Sequence, residues 1–123
     1  IQSLGNAIDF GDEQSTVYSR GASSNSIRGV LSGGYGTPNQ NLMELFTIPT
    51  LGNGVDFGEL NRGGFGRSGT SSPITGLHAS GTSGSTKIEK ITLATLGDSI
   101  DFGDLVEAAT YGRGMSPSHG GLA

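Results

Sequence analysis

The chain has 123 residues, of which 23 are glycine and none is cysteine or tryptophan, and hydrophobic residues make up only 33% of it. Glycine at this frequency favours tight turns and short strands over a helical core. Eleven acidic and seven basic residues give a net charge of −4 without a basic cluster, which argues against a nucleic-acid partner. No apolar run approaches the roughly 18 residues of a membrane span, so we expect no membrane insertion.

One sequence block recurs three times along the chain. It reads Leu-Gly-Asn/Asp, one variable residue, then Ile/Val-Asp-Phe-Gly and an acid, at 4–12, 51–59 and 96–104, with starts 47 and 45 residues apart. A period of this size marks a repeat protein in which each unit is one structural motif. The sequence therefore predicts one repeat array over 1–123, with units at about 3–49, 50–94 and 95–123, the third incomplete.

Four short blocks in each unit predict four strands. The Ile/Val-Asp-Phe run comes first, and an aromatic-x-Arg run follows at 18–20, 65–67 and 111–113. Next, 27–34 matches 74–81, and 43–48 matches 88–93 with the alternation of a half-buried strand. The Leu-Gly-Asn/Asp turn then predicts a hairpin with the following Ile/Val-Asp-Phe strand. With no sustained helical period, the fold class is all-β, built from tandem four-stranded antiparallel repeats.

The repeat resembles two known types of unit. The run Ser32-Gly33-Gly34, the downstream aromatic and the four-strand period are similar to kelch-like β-propeller blades. The second copy departs from that pattern with Ser80-Gly81, and no copy carries the family's usual tryptophan. More specifically, the units resemble the Thr-Leu-Gly-Asn-x-x-Asp-Phe-Gly-Asp-Leu and Arg-Gly-Val-x-x-Gly-Gly repeats of large virion or tail-fibre proteins of marine bacteriophages, including those that infect cyanobacteria. That resemblance implies a virion-associated structural protein or adhesin.

The repeat phase adds a constraint. The chain opens at the end of the strand that matches 43–48 and closes within the strand that matches 27–34. About 2.7 units are therefore present, whereas a closed propeller has roughly 4 to 8 blades. We therefore expect the chain to be part of a larger propeller or fibre, or to associate with copies of itself.

Residues that recur in every unit are predicted to hold the fold together. The Asp of Asp-Phe-Gly would accept hydrogen bonds from turn amides, the Phe would fill the space between sheets, and the Gly would let backbones approach closely. The Arg would pair with this Asp or with the acid after the glycine (Asp12, Glu59 and Asp104). The framework set is Asp9, Phe10, Arg20, Asp56, Phe57, Arg67, Asp101, Phe102 and Arg113.

Other polar residues give weaker signals for chemistry. Glu44 and Glu89 occupy equivalent positions, and we expect them at a solvated strand end, with a central opening as the alternative. Calcium binding by Asn6, Asp9 and Asp12, or by Asp98, Asp101 and Asp104, is a further alternative, but these segments lack the ligand spacing of a calcium loop. His78 and His119 fall at unrelated repeat positions. We predict no catalytic residue, no metal and no cofactor.

We expect the function to lie in the loops, because these are the parts that differ between the copies. We predict a non-enzymatic virion structural or tail-fibre-type protein whose loops bind a host-surface glycan or protein, other virion subunits, or copies of the chain. It would be located in the virion, or otherwise secreted or on a cell surface. The alternatives are a cellular kelch-like protein-interaction module and a propeller enzyme acting on glycans. The candidate binding residues are Tyr35, Pro38, Asn39, Asn61 and Ser83.

Overall fold

The computed structural model describes residues 5–36, 40–81 and 84–116. This part of the chain is all-β and forms two four-stranded antiparallel sheets, each with its strands in chain order. The first sheet contains β1 (Gly21–Ser24), β2 (Arg28–Ser32), β3 (Leu42–Thr47) and β4 (Val55–Glu59). The second contains β5 (Ser68–Ser71), β6 (Thr75–Ala79), β7 (Lys87–Thr92) and β8 (Ile100–Asp104). The described ranges contain no helix of a length and hydropathy that would cross a membrane.

The predicted hairpins are confirmed. β3 pairs with β4, with Leu45 opposite Val55, and β7 pairs with β8, with Lys90 opposite Ile100. In both hairpins the register shifts at one point, which lies directly before Glu44 or Glu89. The residue left without a partner at the shift is Phe57 in β4 and Phe102 in β8, so the β-bulge lies in the fourth strand of each sheet. Both glutamates are buried.

Each sheet crosses a repeat boundary. Its first three strands come from one predicted unit and its fourth strand from the next, because β4 and β8 are the Ile/Val-Asp-Phe strands of the following copies. The first copy of this strand, around Phe10, was also predicted to be β, but the segment 5–17 contains no strand.

That first segment instead takes part in a contact between consecutive units, which we call the unit contact. The Gly52 N–H donates to the Phe10 carbonyl (2.8 Å), and the Gly54 N–H donates to the Asp12 carbonyl (2.8 Å). The Asp12 N–H donates to Asn53 Oδ1 (3.0 Å). The recurring Leu-Gly-Asn turn is thus bonded to the Asp-Phe-Gly block of the preceding copy.

The unit contact is repeated between the second and third copies. The Gly97 N–H donates to the Phe57 carbonyl (2.8 Å), and the Ser99 N–H donates to the Glu59 carbonyl (2.9 Å). The Glu59 N–H donates to Asp98 Oδ1 (2.9 Å). Asn at 53 and Asp at 98 therefore supply the same acceptor, which explains why both residue types occur in the repeat.

Glycine is required where the two backbones meet. A Cβ on Gly58 would lie 2.5 Å from the carbonyl carbon of Gly97, and one on Gly11 would collide with the Gly52 carbonyl. Gly58 also has a φ of 139°, which side-chain-bearing residues rarely adopt. The glycine of Asp-Phe-Gly thus allows consecutive units to approach closely.

The hydrophobic core is small and lies in and between the sheets. Its buried members are Val30, Met43, Leu45, Phe57, Leu60, Ile91 and Leu93. The first strands of the two sheets also pack directly on each other, since a Cβ on Gly69 would collide with the Ala22 backbone. Ser71 Oγ donates to the Ser24 carbonyl at this contact (2.7 Å).

Candidate functional site

A continuous row of four aromatic side chains spans the three copies of the aromatic-x-Arg block. Successive ring centroids lie 5.2 Å apart for Tyr18 and Tyr35, 5.0 Å for Tyr35 and Phe65, and 6.3 Å for Phe65 and Tyr111. Tyr18, Tyr35 and Tyr111 are exposed, and Phe65 is half-buried. We call this set the aromatic row.

The backbone fixes the centre of the row. Tyr18 and Tyr35 form an isolated antiparallel bridge in which each N–H donates to the other's carbonyl, at 3.1 and 2.7 Å. Gly33 and Gly34, which follow β2, have φ of 63° and 126°, and this positive-φ pair turns the chain so that Tyr35 returns to Tyr18. The unrepeated residue Tyr35 is thereby inserted between aromatics that recur.

The third copy of the block is shifted by one residue. Ser19, Gly66 and Tyr111 all have a left-handed φ, of 60°, 69° and 57°. The Gly66 N–H donates to the Ser19 carbonyl (2.8 Å), and the Tyr111 N–H donates to the Gly66 carbonyl (2.9 Å). Tyr111 therefore occupies the backbone position of Gly66 rather than that of Phe65.

The recurring arginines bind buried glutamates. Arg20 Nη1 lies 2.6 Å from Glu44 Oε2, and Arg67 Nη1 lies 2.9 Å from Glu89 Oε2. The predicted partners, which were the aspartates of Asp-Phe-Gly or the acid that follows, are therefore wrong for these two arginines. The shifted Arg113 instead donates to the carbonyls of Tyr111 and Gly112, both at 2.9 Å.

The expected solvated position of Glu44 and Glu89 is also wrong. Glu44 is fully buried, and Glu89 is 2% exposed. The second oxygen of each carboxylate accepts a backbone N–H from the segment before the sheet, from Gln14 for Glu44 (3.0 Å) and from Arg62 for Glu89 (2.9 Å). Each glutamate thus links its own strand to the arginine and to the backbone amide of the preceding segment. Both carboxylates therefore serve to hold the fold together.

Burying the charged arginines and glutamates costs free energy, and the attraction between the two members of each pair offsets this cost. Burial lowers the pKa of the Arg67 guanidinium from its usual value, and the charge and hydrogen bond of Glu89 oppose that shift. A charge taken out of water needs an excellent partner. The repeated Arg–Glu pairing therefore specifies how the sheet meets its preceding segment.

His78 bridges the two sheets from a fully buried position. Its Nε2 lies 3.0 Å from Ser23 Oγ in β1, and its Nδ1 lies 2.6 Å from Ser32 Oγ in β2. Burial, with a smaller contribution from Arg67, lowers the pKa of the imidazole to about 4. A neutral imidazole donates one hydrogen bond and accepts one, which two rotatable hydroxyls can match.

The repeated aspartates differ in their roles. Asp9 and Asp56 each accept a hydrogen bond from the amide two residues later, that of Gly11 (3.1 Å) and of Gly58 (3.0 Å). Asp101 instead accepts from Lys87 Nζ (3.2 Å). The partner in both copies is thus the amide of the block's own glycine, which in the second copy lies within β4, rather than the predicted turn amides.

The repeated phenylalanines differ in exposure. Phe57 is 2% exposed between the sheets, Phe10 is 36% exposed against Phe46, and Phe102 is 57% exposed. Only the central copy therefore fills a closed space between described sheets.

The candidate loop residues fall in different places. Tyr35 lies at the centre of the aromatic row. Asn61 bonds the following unit, since its Nδ2 donates to the Ser99 carbonyl (2.8 Å). Pro38, Asn39 and Ser83 lie outside the described residues, as does His119.

A cleft with a volume of about 570 Å³ runs past the first strands of both sheets. Its apolar lining includes Phe10, Leu31 and Phe46, and serine hydroxyls supply most of its polar groups. The carboxylate in this lining belongs to Glu13, which binds Arg20 (2.9 Å). Within the described ranges, no three His, Asp or Glu side chains are grouped so as to hold a metal ion.

Sequence reasoning missed the burial of the glutamates and the role of His78. The signal for the glutamates was available, because Glu44 and Glu89 recur in step with Arg20 and Arg67. Comparison of the chain with protein-family models and with curated proteins gives no match.

Proposed function

We propose that the protein is a non-enzymatic structural and binding component of a virion fibre, which attaches to a host surface through the aromatic row. The observation that carries this proposal is the exposed row itself. Contiguous exposed aromatics are uncommon on soluble proteins and mark interaction sites. The row also combines recurring residues, which give it a rigid base, with the unrepeated Tyr35 at its centre.

Two features support a kelch-like propeller arrangement, in which each sheet is a blade. The strands of each sheet follow one another in chain order with antiparallel pairing, as blade strands do. The first strands of the two sheets pack on each other through Gly69 and Ala22, as strands nearest a propeller axis would.

Further units or copies of the chain are the proposed structural partners. In the first sheet Val30 and Leu45 are buried against the second sheet, at 1% and 7% exposure. The matching face of the second sheet carries Leu77 and Lys90, which are half-buried beside the exposed Phe102. Another sheet bound in the same way as the second would bury this face.

The state of the carboxylates favours a binding role over the glycan-cleaving alternative. A glycosidase holds two carboxylic side chains on either side of the scissile bond. Here Glu44 and Glu89 are bound by arginines inside the fold, and the cleft's Glu13 is bound by Arg20.

The proposal is tested by binding of fluorescently labelled protein to a panel of intact bacterial cells. We expect retention on susceptible strains, loss with Tyr35→Ala, and retention with Ile74→Ala, which truncates an exposed apolar residue outside the row. A reducing-sugar assay on the same cells should detect no release. Absence of binding to every strain, or equal binding by both variants, would contradict attachment through the row, and release of sugar would favour the enzyme.

A further inference from the structure

We propose that the ligand of the aromatic row is an extended, uncharged polysaccharide, with Tyr35 at the centre of the binding site. This inference rests on the proposed attachment function and names the chemical class that the row would recognise. It is argued from the spacing, the orientation and the surroundings of the four rings.

The spacing of the rings fits a polymer rather than a small ligand. Four rings follow one another at 5.0 to 6.3 Å, a step comparable to the length of one sugar ring in an extended chain. Three of the four rings come from the aromatic-x-Arg blocks of successive copies, with Tyr111 one backbone position later than its counterparts. A polymer can contact successive rings of such a row.

The orientation of the rings argues against a flat ligand. Neighbouring ring planes are inclined by 51° for Tyr18 and Tyr35, by 89° for Tyr35 and Phe65, and by 52° for Phe65 and Tyr111. A rigid planar molecule cannot lie on all of them. A polysaccharide rotates at each linkage, so successive sugar faces can follow the changing ring planes.

The chemistry of the rings suits sugars. The C–H face of a sugar ring packs on an aromatic face, and its hydroxyls bond the polar end of a tyrosine. Tyrosine also loses little conformational entropy when it is held in contact with a ligand. Three of the four members of the row are tyrosines.

Charge near the row favours a neutral polymer. The arginines adjacent to the aromatics in the first two copies, Arg20 and Arg67, point inward, with side chains 6% and 3% exposed, and bind Glu44 and Glu89. They are therefore not available to neutralise phosphate or carboxylate groups of a ligand. The third arginine, Arg113, is exposed, and its Nη1 donates to the carbonyls of Tyr111 and Gly112. The net charge of −4 further disfavours an anionic polymer.

The chain provides its own optical probe for this site. It contains no tryptophan and three tyrosines, Tyr18, Tyr35 and Tyr111, and all three belong to the row. Intrinsic tyrosine fluorescence therefore reports the row without interference from tryptophan. Titration with purified neutral polysaccharides from host envelopes should give a saturable change in emission.

Substitutions of Tyr35 test whether the change in tyrosine emission comes from binding at the central ring. Loss of one stacking contact should weaken binding about tenfold in Tyr35→Ala, whereas Tyr35→Phe should stay within about threefold because the ring is kept. Ile74→Ala should bind like the wild type. Thermal melts of all three variants show whether the fold is retained, and Tyr18→Ala gives a second variant if Tyr35→Ala does not fold.

The outcomes separate this inference from the attachment function. Binding to cells that is abolished by periodate oxidation of glycans and survives protease treatment supports both. Binding that is lost with protease and survives periodate leaves attachment intact but overturns the polysaccharide. Unchanged tyrosine emission at saturating polysaccharide, or wild-type affinity in Tyr35→Ala, would also overturn it.

Discussion

Lowering the pH from 7 to 4 should destabilise the protein through His78. The unfolded chain takes up a proton on this side chain near pH 6.5, whereas the folded chain takes it up only near pH 4, because burial lowers the pKa. Between these values the unfolded state binds more protons, so the free energy of unfolding decreases as the pH decreases. The gap between 6.5 and about 4 corresponds to about 3 kcal/mol at 1.36 kcal/mol per pKa unit.

The structure also gives the reason for the loss. Protonation makes both imidazole nitrogens donors, so neither can accept from the hydroxyls of Ser23 and Ser32, and it places a buried cation near Arg67. Urea unfolding at pH 7, 6, 5 and 4, followed by far-UV circular dichroism, measures the effect. His78→Gln is the control, because glutamine keeps a donor and an acceptor without titrating.

The test is the difference between the two proteins. Carboxylates that titrate in this range do so in both proteins, so subtracting the two pH profiles isolates His78. The wild type should lose about 3 kcal/mol more than His78→Gln between pH 7 and pH 4. Parallel profiles would refute the reasoning.

Three further predictions concern the contacts that recur. Arg67→Met should destabilise the fold by about 3 to 5 kcal/mol, because it leaves the buried Glu89 without its partner. Adding Glu89→Leu to this variant should restore stability, as measured by urea unfolding. Gly58→Ala should lower the free energy of unfolding by about 1 to 3 kcal/mol more than Gly103→Ala does. Both glycines have a positive φ, so the strain of the backbone is common to the two variants. The difference arises because a Cβ on Gly58 would collide with the Gly97 backbone, whereas a Cβ on Gly103 meets no described atom within 4 Å. Leu93→Ala should cost about 2 to 5 kcal/mol in the same assay, since this side chain is fully buried.

The sequence was most informative about local structure. Alternation in 43–48 and 88–93, followed by a Leu-Gly-Asn/Asp turn, correctly predicted both hairpins. It also predicted the close backbone approach at the glycine of Asp-Phe-Gly. These features depend on residues close together in the chain, so pattern and turn chemistry are sufficient to find them.

Contacts between distant residues were harder to predict. Glu44 was placed in solvent because strand alternation does not show what covers each face of a strand, and Arg20 and the Gln14 amide cover the face that carries Glu44. His78 was set aside because it is not repeated. Its partners Ser23 and Ser32 lie 55 and 46 residues away, and serine is too common in this chain for such a pairing to be recognised.

The aromatic row shows the same limit. Tyr35 was selected as an unrepeated loop residue, and Tyr18 and Phe65 were assigned to the repeated framework. Nothing in their spacing indicated that the three rings meet. Their contact depends on how neighbouring units stack, which is a property of the whole array.

The strand that each sheet takes from the following repeat bears on the order of folding during synthesis. The first sheet is complete once residue 59 has left the ribosome, and its last strand then presents Phe57 and Glu59 to the turn at 97–99. Each new segment therefore finds an edge that is already ordered. We expect such an array to fold progressively from its N-terminal end, without waiting for the rest of the chain.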